Sequence, residues 1–328
     1  MFFGIENVIT TQDEMIAVMV NRYDQMMNDP ELLFWDELTE DFSITKKKRI
    51  INWIQSFAVL REATGGAQRS YDDIVDAAAS LTTKNYEGSL AVDQNEYEDD
   101  DLDRVAAWAM AQGDYEAIFW QDLLMEVLAI GETILGYDGV PMFSEDHPVE
   151  IGVEGTETNS NLWTGYAPTV TGLANLTKDI KGNLKTAGLK NAYVRPYRLW
   201  VNPQSEFTAI ESLNAEVVGN AAASNINGSK SNVFANQQIK NKYGWAGGIK
   251  LMQEHPMENS YYVECRVFGR SPFSKPFARI IRKMFEMRMY SKADQVTLGR
   301  SNKSEWQKDG RVAIIPGEPM TLHKVTFS

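Results

Sequence analysis

The stretch YEGSLAVDQNEYEDDDLD, residues 86–103, joins the pattern of a strand to a dense run of acids. Its first half alternates in polarity, as a half-buried strand does. Seven carboxylates then lie within eleven positions: Asp93, Glu96, Glu98, Asp99, Asp100, Asp101 and Asp103. Because charges of one sign repel each other at this spacing, the run needs an explanation. It could ligate a metal, supply an acid/base pair, stay solvated, or meet a basic partner.

A long helix is expected directly after the acids. From residue 101 to about 135, apolar residues recur at helical spacing, and Gly113 and Gly131 interrupt the pattern only mildly. Such a helix would be roughly 50 Å long at about 1.5 Å per residue, whereas the average helix has about 11 or 12 residues. Carboxylates in the first turn favour the positive end of the helix dipole. The sequence therefore predicts a spine-like helix led by acids.

A two-armed excursion of strand or extended character is predicted over residues 45–93. It begins with a basic knot, Lys46, Lys47, Lys48 and Arg49, and continues into IINWIQSFAVLRE, which is rich in strand formers. Gly65 and Gly66 mark the turn before the chain returns. The basic knot could contact nucleic acid, pair with the acidic run of a neighbouring copy, or be a solvated turn.

The remaining segments predict further helices and strands. A helix is expected over residues 11–27, and RLWVNPQSEFTAIESLNAE predicts a strand followed by a helix that begins after Pro203. Asparagine, glycine and serine between Gly219 and Gly244 predict a long surface loop. The segments YYVECRVF, KMFEMRMYS, RVAIIP and TLHKVTF predict four strands near the end of the chain.

Composition narrows the class of protein. The 328 residues suffice for one large or two ordinary domains, and 43% hydrophobic residues can form a sizeable core. A net charge of −13 argues against a surface built to neutralise phosphates throughout, although a local basic patch remains possible. The lone Cys265 has no partner for an intramolecular disulfide. With no signal peptide or membrane-spanning pattern, we expect a soluble protein of a reducing cytoplasm.

Sites for metals, cofactors or catalysis find little support in the sequence. A calcium loop starting at Asp93 would need glycine sixth and glutamate twelfth, where Glu98 and Arg104 stand. Ser144 and His147 suggest a hydrolase, but no GxSxG elbow is present. A structural role of these residues in a turn is the simpler interpretation. CxxC and HExxH motifs are absent. We expect no metal, no cofactor and no enzymatic activity, and we interpret the acids as a solvated or interface-facing surface.

Four segments in the same order resemble the major head subunits of Mu-like tailed phages. They are the strand-and-acid stretch, the YDG..ff...HPv turn, an asparagine-containing segment, and a strand–proline–helix passage, which together cover about residues 40–217. The matching residues are Tyr86, Glu87, Gly88, Glu98, Asp99, Asp100, Leu102, Tyr137, Asp138, Gly139, Phe143, His147, Pro148 and Asn161.

The resemblance implies the Hong Kong 97-type major capsid fold, an α+β architecture. An N-terminal arm and helix would occupy residues 1–44, and an extended E-loop residues 45–93. A P-domain would take residues 94–170 and 281–328, with the spine helix at about 101–135. An A-domain would take residues 171–280.

The resemblance also implies a function. Copies would self-assemble into hexamers and pentamers of an icosahedral phage head that encloses double-stranded DNA. Separate scaffold, portal and possible decoration proteins would be partners, packaged DNA would be contacted non-specifically, and no membrane would be involved. The protein would lie in the capsid of the virion, and in the host cytoplasm during assembly. An encapsulin-like compartment shell is an alternative, and a carboxylate-dependent hydrolase using Asp99 or Glu98 is another.

Two sets of residues are expected to form contacts between subunits. The E-loop would lie over a neighbour and bury Ile50, Trp53 and Phe57. The acids Glu98, Asp99, Asp100 and Asp101 would meet the basic knot, Lys46, Lys47, Lys48 and Arg49, of an adjacent copy.

Overall fold

The computed structural model describes residues 12–28, 33–46, 48–54, 76–93, 102–149, 151, 155–185, 194–214, 217–218, 230–231, 245–252, 259–267, 275–290 and 303–327. The chain divides into two compact units. The first comprises Met1–Arg49, Leu81–Leu124 and Arg279–Ile314, and the second comprises Ile50–Ser80, Met125–Ala278 and Ile315–Ser328.

The first unit contains a four-stranded sheet and three helical segments. The helices are α1 (Gln12–Met27), α2 (Trp35–Leu38) and the part of α3 (Leu102–Ala129) up to Leu124. The strands follow the order β1 (Thr39–Ser43), β13 (Phe277–Tyr290), β14 (Lys303–Pro316) and β4 (Lys84–Asp93). Strands β14 and β4 are antiparallel from the pair Lys303–Asp93 to the pair Val312–Lys84. The strand half of the opening stretch is thus part of β4.

Strands β2 (Lys48–Ile54) and β3 (Asp76–Thr82) pair with each other as a separate two-stranded sheet. This pairing confirms the predicted strand character of the two arms between residues 45 and 93. Residues 55–75, which would form the tip, lie outside the described residues. The assignment of the whole excursion as an E-loop therefore stays a prediction.

Helix α3 confirms the predicted spine helix at its start and corrects its end. It begins at Leu102, immediately after the acids, and ends at Ala129, whereas the apolar spacing extends it to about 135. At Gly131 the backbone N–H donates to Leu128 O (3.2 Å), and the carbonyl accepts from Phe143 N–H (3.0 Å). A Cβ at Gly131 would lie only 2.5 Å from the Phe143 ring. The tight turn after α3 is therefore fixed by a segment that follows later in the chain.

A guanidinium packed against two neighbouring indoles lies at the centre of the first unit. Trp35 and Trp120 are 1% and 0% exposed. The Arg279 Cζ atom lies 4.3 Å from the Trp35 ring centre and 4.6 Å from that of Trp120. Arg279 also binds Asp41 through two nitrogens, Nε donating at 2.5 Å and Nη2 forming the second bond. Stacking on two indoles and pairing with one carboxylate together hold this buried charge.

The second unit contains a five-stranded sheet covered by two helices. Its strands follow the order β11 (Gly248–Leu251), β8 (Val194–Val201), β12 (Ser260–Val267), β15 (Leu322–Thr326) and β7 (Leu162–Thr164). The helices are α4 (Val170–Asn183) and α5 (Glu206–Asn214). Buried leucines of α4 and α5 pack with Leu199 of β8 and Val263 of β12 in one core. Thr169 caps α4 by accepting from Gly172 N–H at 3.2 Å.

Short elements complete the described part of the chain. These are β5 (His147–Pro148), β6 (Thr158–Asn159), β9 (Val217–Val218), β10 (Lys230–Ser231) and a 3₁₀ helix (Pro319–Thr321). The predicted strand and helix around Pro203 are confirmed by β8 and α5, and the four predicted late strands by β12 to β15. Most of the asparagine-rich segment lies outside the described residues. The division into P-domain and A-domain stays a prediction.

Candidate functional site

The residues predicted to contact a neighbouring subunit are only partly described. Lys46 is exposed just after β1. Lys48, Arg49, Ile50 and Trp53 belong to the backbone of β2. Lys47, Phe57, Glu98, Asp99, Asp100 and Asp101 lie outside the described residues. The expected meeting of basic and acidic residues therefore stays a prediction.

Three of the residues that carry the family resemblance form a buried polar network in the second unit. His147 Nδ1 lies 2.6 Å from Asp138 Oδ2, and the two side chains are 3% and 5% exposed. The other ring nitrogen, Nε2, lies 3.2 Å from Asn161 Oδ1. Both ring nitrogens thus lie within hydrogen-bond distance of side-chain oxygens, those of Asp138 and Asn161. The turn around Asp138 is thereby tied to the segments of β5 and Asn161.

Asn161 connects this network to the backbone. The residue is fully buried, and its Nδ2 donates to Met142 O (2.6 Å) and Pro319 O (2.9 Å). Its Oδ1 accepts from Ser144 N–H at 2.9 Å, which fixes the orientation of the amide. Its own backbone N–H and C=O pair with Ser144 O and Lys324 N. One side chain therefore holds together the turn after α3, β5 and the 3₁₀ helix before β15.

The contacts of this network connect backbone segments and do not pair His147 with Ser144. The ring nitrogens of His147 contact Asp138 and Asn161. Ser144 Oγ instead accepts from Asp146 N–H at 3.2 Å, as a turn residue does. Across the described residues, no group of three or more His, Cys, Asp or Glu side chains could hold a metal ion.

A second histidine in the same unit is neutral. His323 Nδ1 accepts from Trp163 Nε1 at 3.0 Å, and its Nε2 donates to Met320 O at 3.1 Å. Complete burial, with a smaller contribution from repulsion by His147, lowers the pKa of His323 to about 3. The ring therefore serves as an uncharged link between β7 and the 3₁₀ helix.

An aromatic cavity of about 90 Å³ lies in the first unit, and part of the opening stretch lines it. Tyr86 and Phe285 each pack edge-on against Phe119, with ring centres 4.9 and 5.2 Å apart. Tyr115, on α3, lines the cavity and is 58% exposed. Space beside Gly88 is open, because an added Cβ would meet no atom within 4 Å. The glycine of the family-like motif thus borders an open, largely apolar hollow.

Two of the ionisable groups that line this cavity form an ion pair. Lys308 Nζ donates to Glu116 Oε2 at 2.6 Å, and the side chains are 7% and 12% exposed. The ammonium also lies 3.5 Å from Met19 Sδ. Lys308 and Glu116 therefore satisfy each other beside the aromatic rings. The hollow is suited to packing.

Comparison with known protein families shows to which family this chain belongs. A model described as the Mu-like prophage major head subunit gpT matches residues 13–181, more than half of the chain. The chain belongs to the Mu-like major head subunit family. The resemblance read from the strand-and-acid stretch, the HP turn and Asn161 is therefore confirmed.

One curated relative of this head subunit is the major capsid protein of Escherichia phage Mu. The two are 29% identical over 109 residues, which cover 33% of this chain and 35% of the relative. The match thus spans about a third of the length of that relative.

Solved capsid structures share the fold. The capsid of the cyanophage P-SCSP1u matches with a TM-score of 0.56 and 9% identity, over 91% of this chain and 89% of that one. The mature capsid of bacteriophage PhiM1 matches with a TM-score of 0.53 and 12% identity, over 90% and 87%. The Mu-like head subunit therefore has the Hong Kong 97-type capsid fold, which confirms the predicted α+β fold class.

Sequence reasoning identified Asp138 and Asn161 only as matching positions, and it considered His147 with Ser144 as a hydrolase pair before interpreting both as turn residues. A signal was present, because polar residues inside a turn-rich segment often bond to backbone groups. No sequence pattern indicated the ion pair of Lys308 with Glu116, since the two residues lie 192 positions apart.

Proposed function

We propose that this chain is the shell-forming subunit of a phage head. Copies assemble into hexamers and pentamers, which close an icosahedral shell around double-stranded DNA. The match of the major head subunit family over residues 13–181 is the observation that carries this proposal. The subunit contributes contacts and no catalytic step.

The excursion over residues 45–93 acts in this proposal as the E-loop, with β2 and β3 as its paired arms. It lies over a neighbouring subunit and buries Ile50, Trp53 and Phe57. At about 25 cal/mol per Å², a few hundred Å² of apolar surface contributes several kcal/mol before ordering costs. The basic knot at residues 46–49 meets the acids at residues 98–101 of an adjacent copy and sets the register. Many such modest contacts stabilise a shell although each alone is reversible.

Partners and location follow from this role. Separate scaffold and portal proteins, and possible decoration proteins, bind the shell, and the particle assembles in the host cytoplasm. A net charge of −13 keeps contact with packaged DNA weak and non-specific. Among the described helices, none is long and apolar enough to cross a membrane.

Replacing Trp53 by serine is expected to impair assembly and spare the folded subunit. Loss of one large apolar contact per neighbour raises the protein concentration needed for particle formation by about tenfold or more. Sedimentation velocity across a concentration series measures this threshold, and urea unfolding of the unassembled subunit measures its stability.

Leu135→Ser is the matched control, because Leu135 is 61% exposed and lies outside the excursion. The protein concentration at which this variant forms particles should stay within about threefold of the wild-type value. An unchanged threshold for Trp53→Ser would contradict the proposed role of the excursion. A wild-type protein that never assembles, alone or with the products of neighbouring genes, would contradict the proposed function.

A further inference from the structure

Strand β4 forms one edge of the four-stranded sheet in the first unit. It is ten residues long, and among the described strands it pairs with β14 alone. The register runs from the pair Lys303–Asp93 to the pair Val312–Lys84. Because a strand has backbone N–H and C=O groups on both sides, the outer side of β4 presents a row of them. An edge of this length is a template for a further strand.

The edge of β4 has little of the protection that isolated sheets use. Its sequence, KNYEGSLAVD, contains no proline, and its register with β14 runs without a bulge over all ten described pairs. Lys84, Asn85, Glu87, Gly88 and Ser89 are exposed. Since consecutive residues of a strand point to opposite faces, exposure of Glu87, Gly88 and Ser89 in succession shows that β4 is open on both faces there. A long open edge of this kind indicates a partner strand.

The aromatic cavity of the first unit reaches the same edge at Gly88. This glycine lines the cavity and is itself exposed, and a Cβ added to it would meet no atom within 4 Å. Tyr115, which lines the cavity from α3, is 58% exposed. A strand laid along β4 would cover this hollow, so it would bury apolar surface in addition to forming backbone hydrogen bonds.

A second copy of β4 fits this edge. Antiparallel pairing about a two-fold axis at Gly88 brings residues 84–92 of both copies together, which is nearly the whole strand. In this register Lys84 stands opposite Val92, and Glu87 stands opposite Ser89, so no like charges oppose each other. At the axis glycine stands opposite glycine, which allows the two backbones to approach closely. The strand is therefore complementary to itself, as a two-fold contact requires.

We propose that the β4 edges of two copies pair antiparallel about Gly88, and that this contact joins subunits of neighbouring capsomers. Neighbours within a ring of five or six copies meet head to tail, so a two-fold contact between adjacent subunits joins two rings. This inference rests on the proposed shell function and adds to it a named contact between rings. The two sheets become one continuous sheet across the axis, and each copy covers the aromatic hollow of the other.

Cysteine cross-linking of assembled particles tests the pairing. Gly88→Cys places two thiols on Cα atoms about 5 Å apart, within the range of a disulfide. The matched control Asn85→Cys lies on the same exposed edge, but its two copies stand six positions apart along the strands, about 20 Å. After mild oxidation, non-reducing electrophoresis should show at least about tenfold more cross-linked dimer for Gly88→Cys than for Asn85→Cys. Wild-type particles should show none, because Cys265 is buried.

A charge exchange at the same position keeps the test decisive if the cysteine variant does not assemble. Gly88→Lys and Gly88→Glu each place like charges opposite each other at the axis. Each should raise the protein concentration needed for particle formation by about threefold or more, as sedimentation velocity measures it. An equal mixture of the two should assemble at a lower concentration than either alone, because opposite charges can then face each other. Asn85→Lys is the control and should assemble as the wild type does.

The outcomes separate this inference from the function on which it rests. A wild type that forms no particles contradicts the shell function. A wild type that assembles, with Gly88→Cys particles that cross-link no more than Asn85→Cys particles, contradicts the edge pairing alone. A mixture of Gly88→Lys and Gly88→Glu that assembles no better than either variant has the same consequence, since the two copies of position 88 would then not face each other.

Discussion

Replacing Asn161 by leucine is expected to lower the free energy of unfolding of the subunit by about 3–5 kcal/mol. Leucine has a similar size but can neither donate to Met142 O and Pro319 O nor accept from Ser144 N–H. It also removes the oxygen that faces His147 Nε2. Each buried polar group left without a partner costs about 1–3 kcal/mol. The turn after α3 and the 3₁₀ helix before β15 would separate first.

Urea unfolding of the unassembled subunit, followed by circular dichroism, measures this loss. Asn175→Leu is the matched control, since Asn175 is exposed on α4. It should change the free energy of unfolding by less than about 1 kcal/mol. Equal effects for the two substitutions would show that the Asn161 network does not stabilise the second unit.

Replacing Trp120 by alanine is expected to lower the free energy of unfolding by about 3–5 kcal/mol. The residue is fully buried on α3, and its ring centre lies 6.0 Å from that of Trp35 and 5.6 Å from that of Phe119. Truncation leaves a cavity that neighbouring side chains fill only in part. It also removes one of the two indoles that stack on Arg279, so a buried cation loses a stabilising contact.

Tyr115→Ala provides the comparison on the same helix, because Tyr115 is 58% exposed. Its expected cost is about 1 kcal/mol or less. Thermal unfolding and urea unfolding should rank the two variants in the same order. A Trp120→Ala subunit as stable as Tyr115→Ala would contradict the assignment of the indole–guanidinium stack as the centre of the first unit.

Local sequence signals predicted the long elements of this fold well. The start of α3 was predictable because the acids and the apolar spacing both act within one or two helical turns. The end of α3 could not be predicted. A helix tolerates Gly131, and the turn depends on the ring and backbone of Phe143. Contacts that close a turn from a later segment leave no periodic signal.

The buried charged residues had the weakest signals in the sequence. Lys308 stands in a strand next to an aspartate and a glutamine and has the pattern of a solvated charge, yet it is 6% exposed and paired with Glu116. Likewise, nothing in the sequence around Arg279 indicates that it packs against two tryptophans. Charged side chains are buried only where distant partners compensate them, and those partners are set by the fold.

Electron cryomicroscopy of particles, produced by expressing the chain with its neighbouring genes, tests the central claim most directly. The shell-forming account predicts closed icosahedral shells built of fivefold and sixfold clusters, with a Hong Kong 97-type subunit whose long helix matches Leu102–Ala129 and with this chain as the major shell component. Particles in which this chain is absent or only a minor component would contradict it, and so would a preparation that contains only monomers.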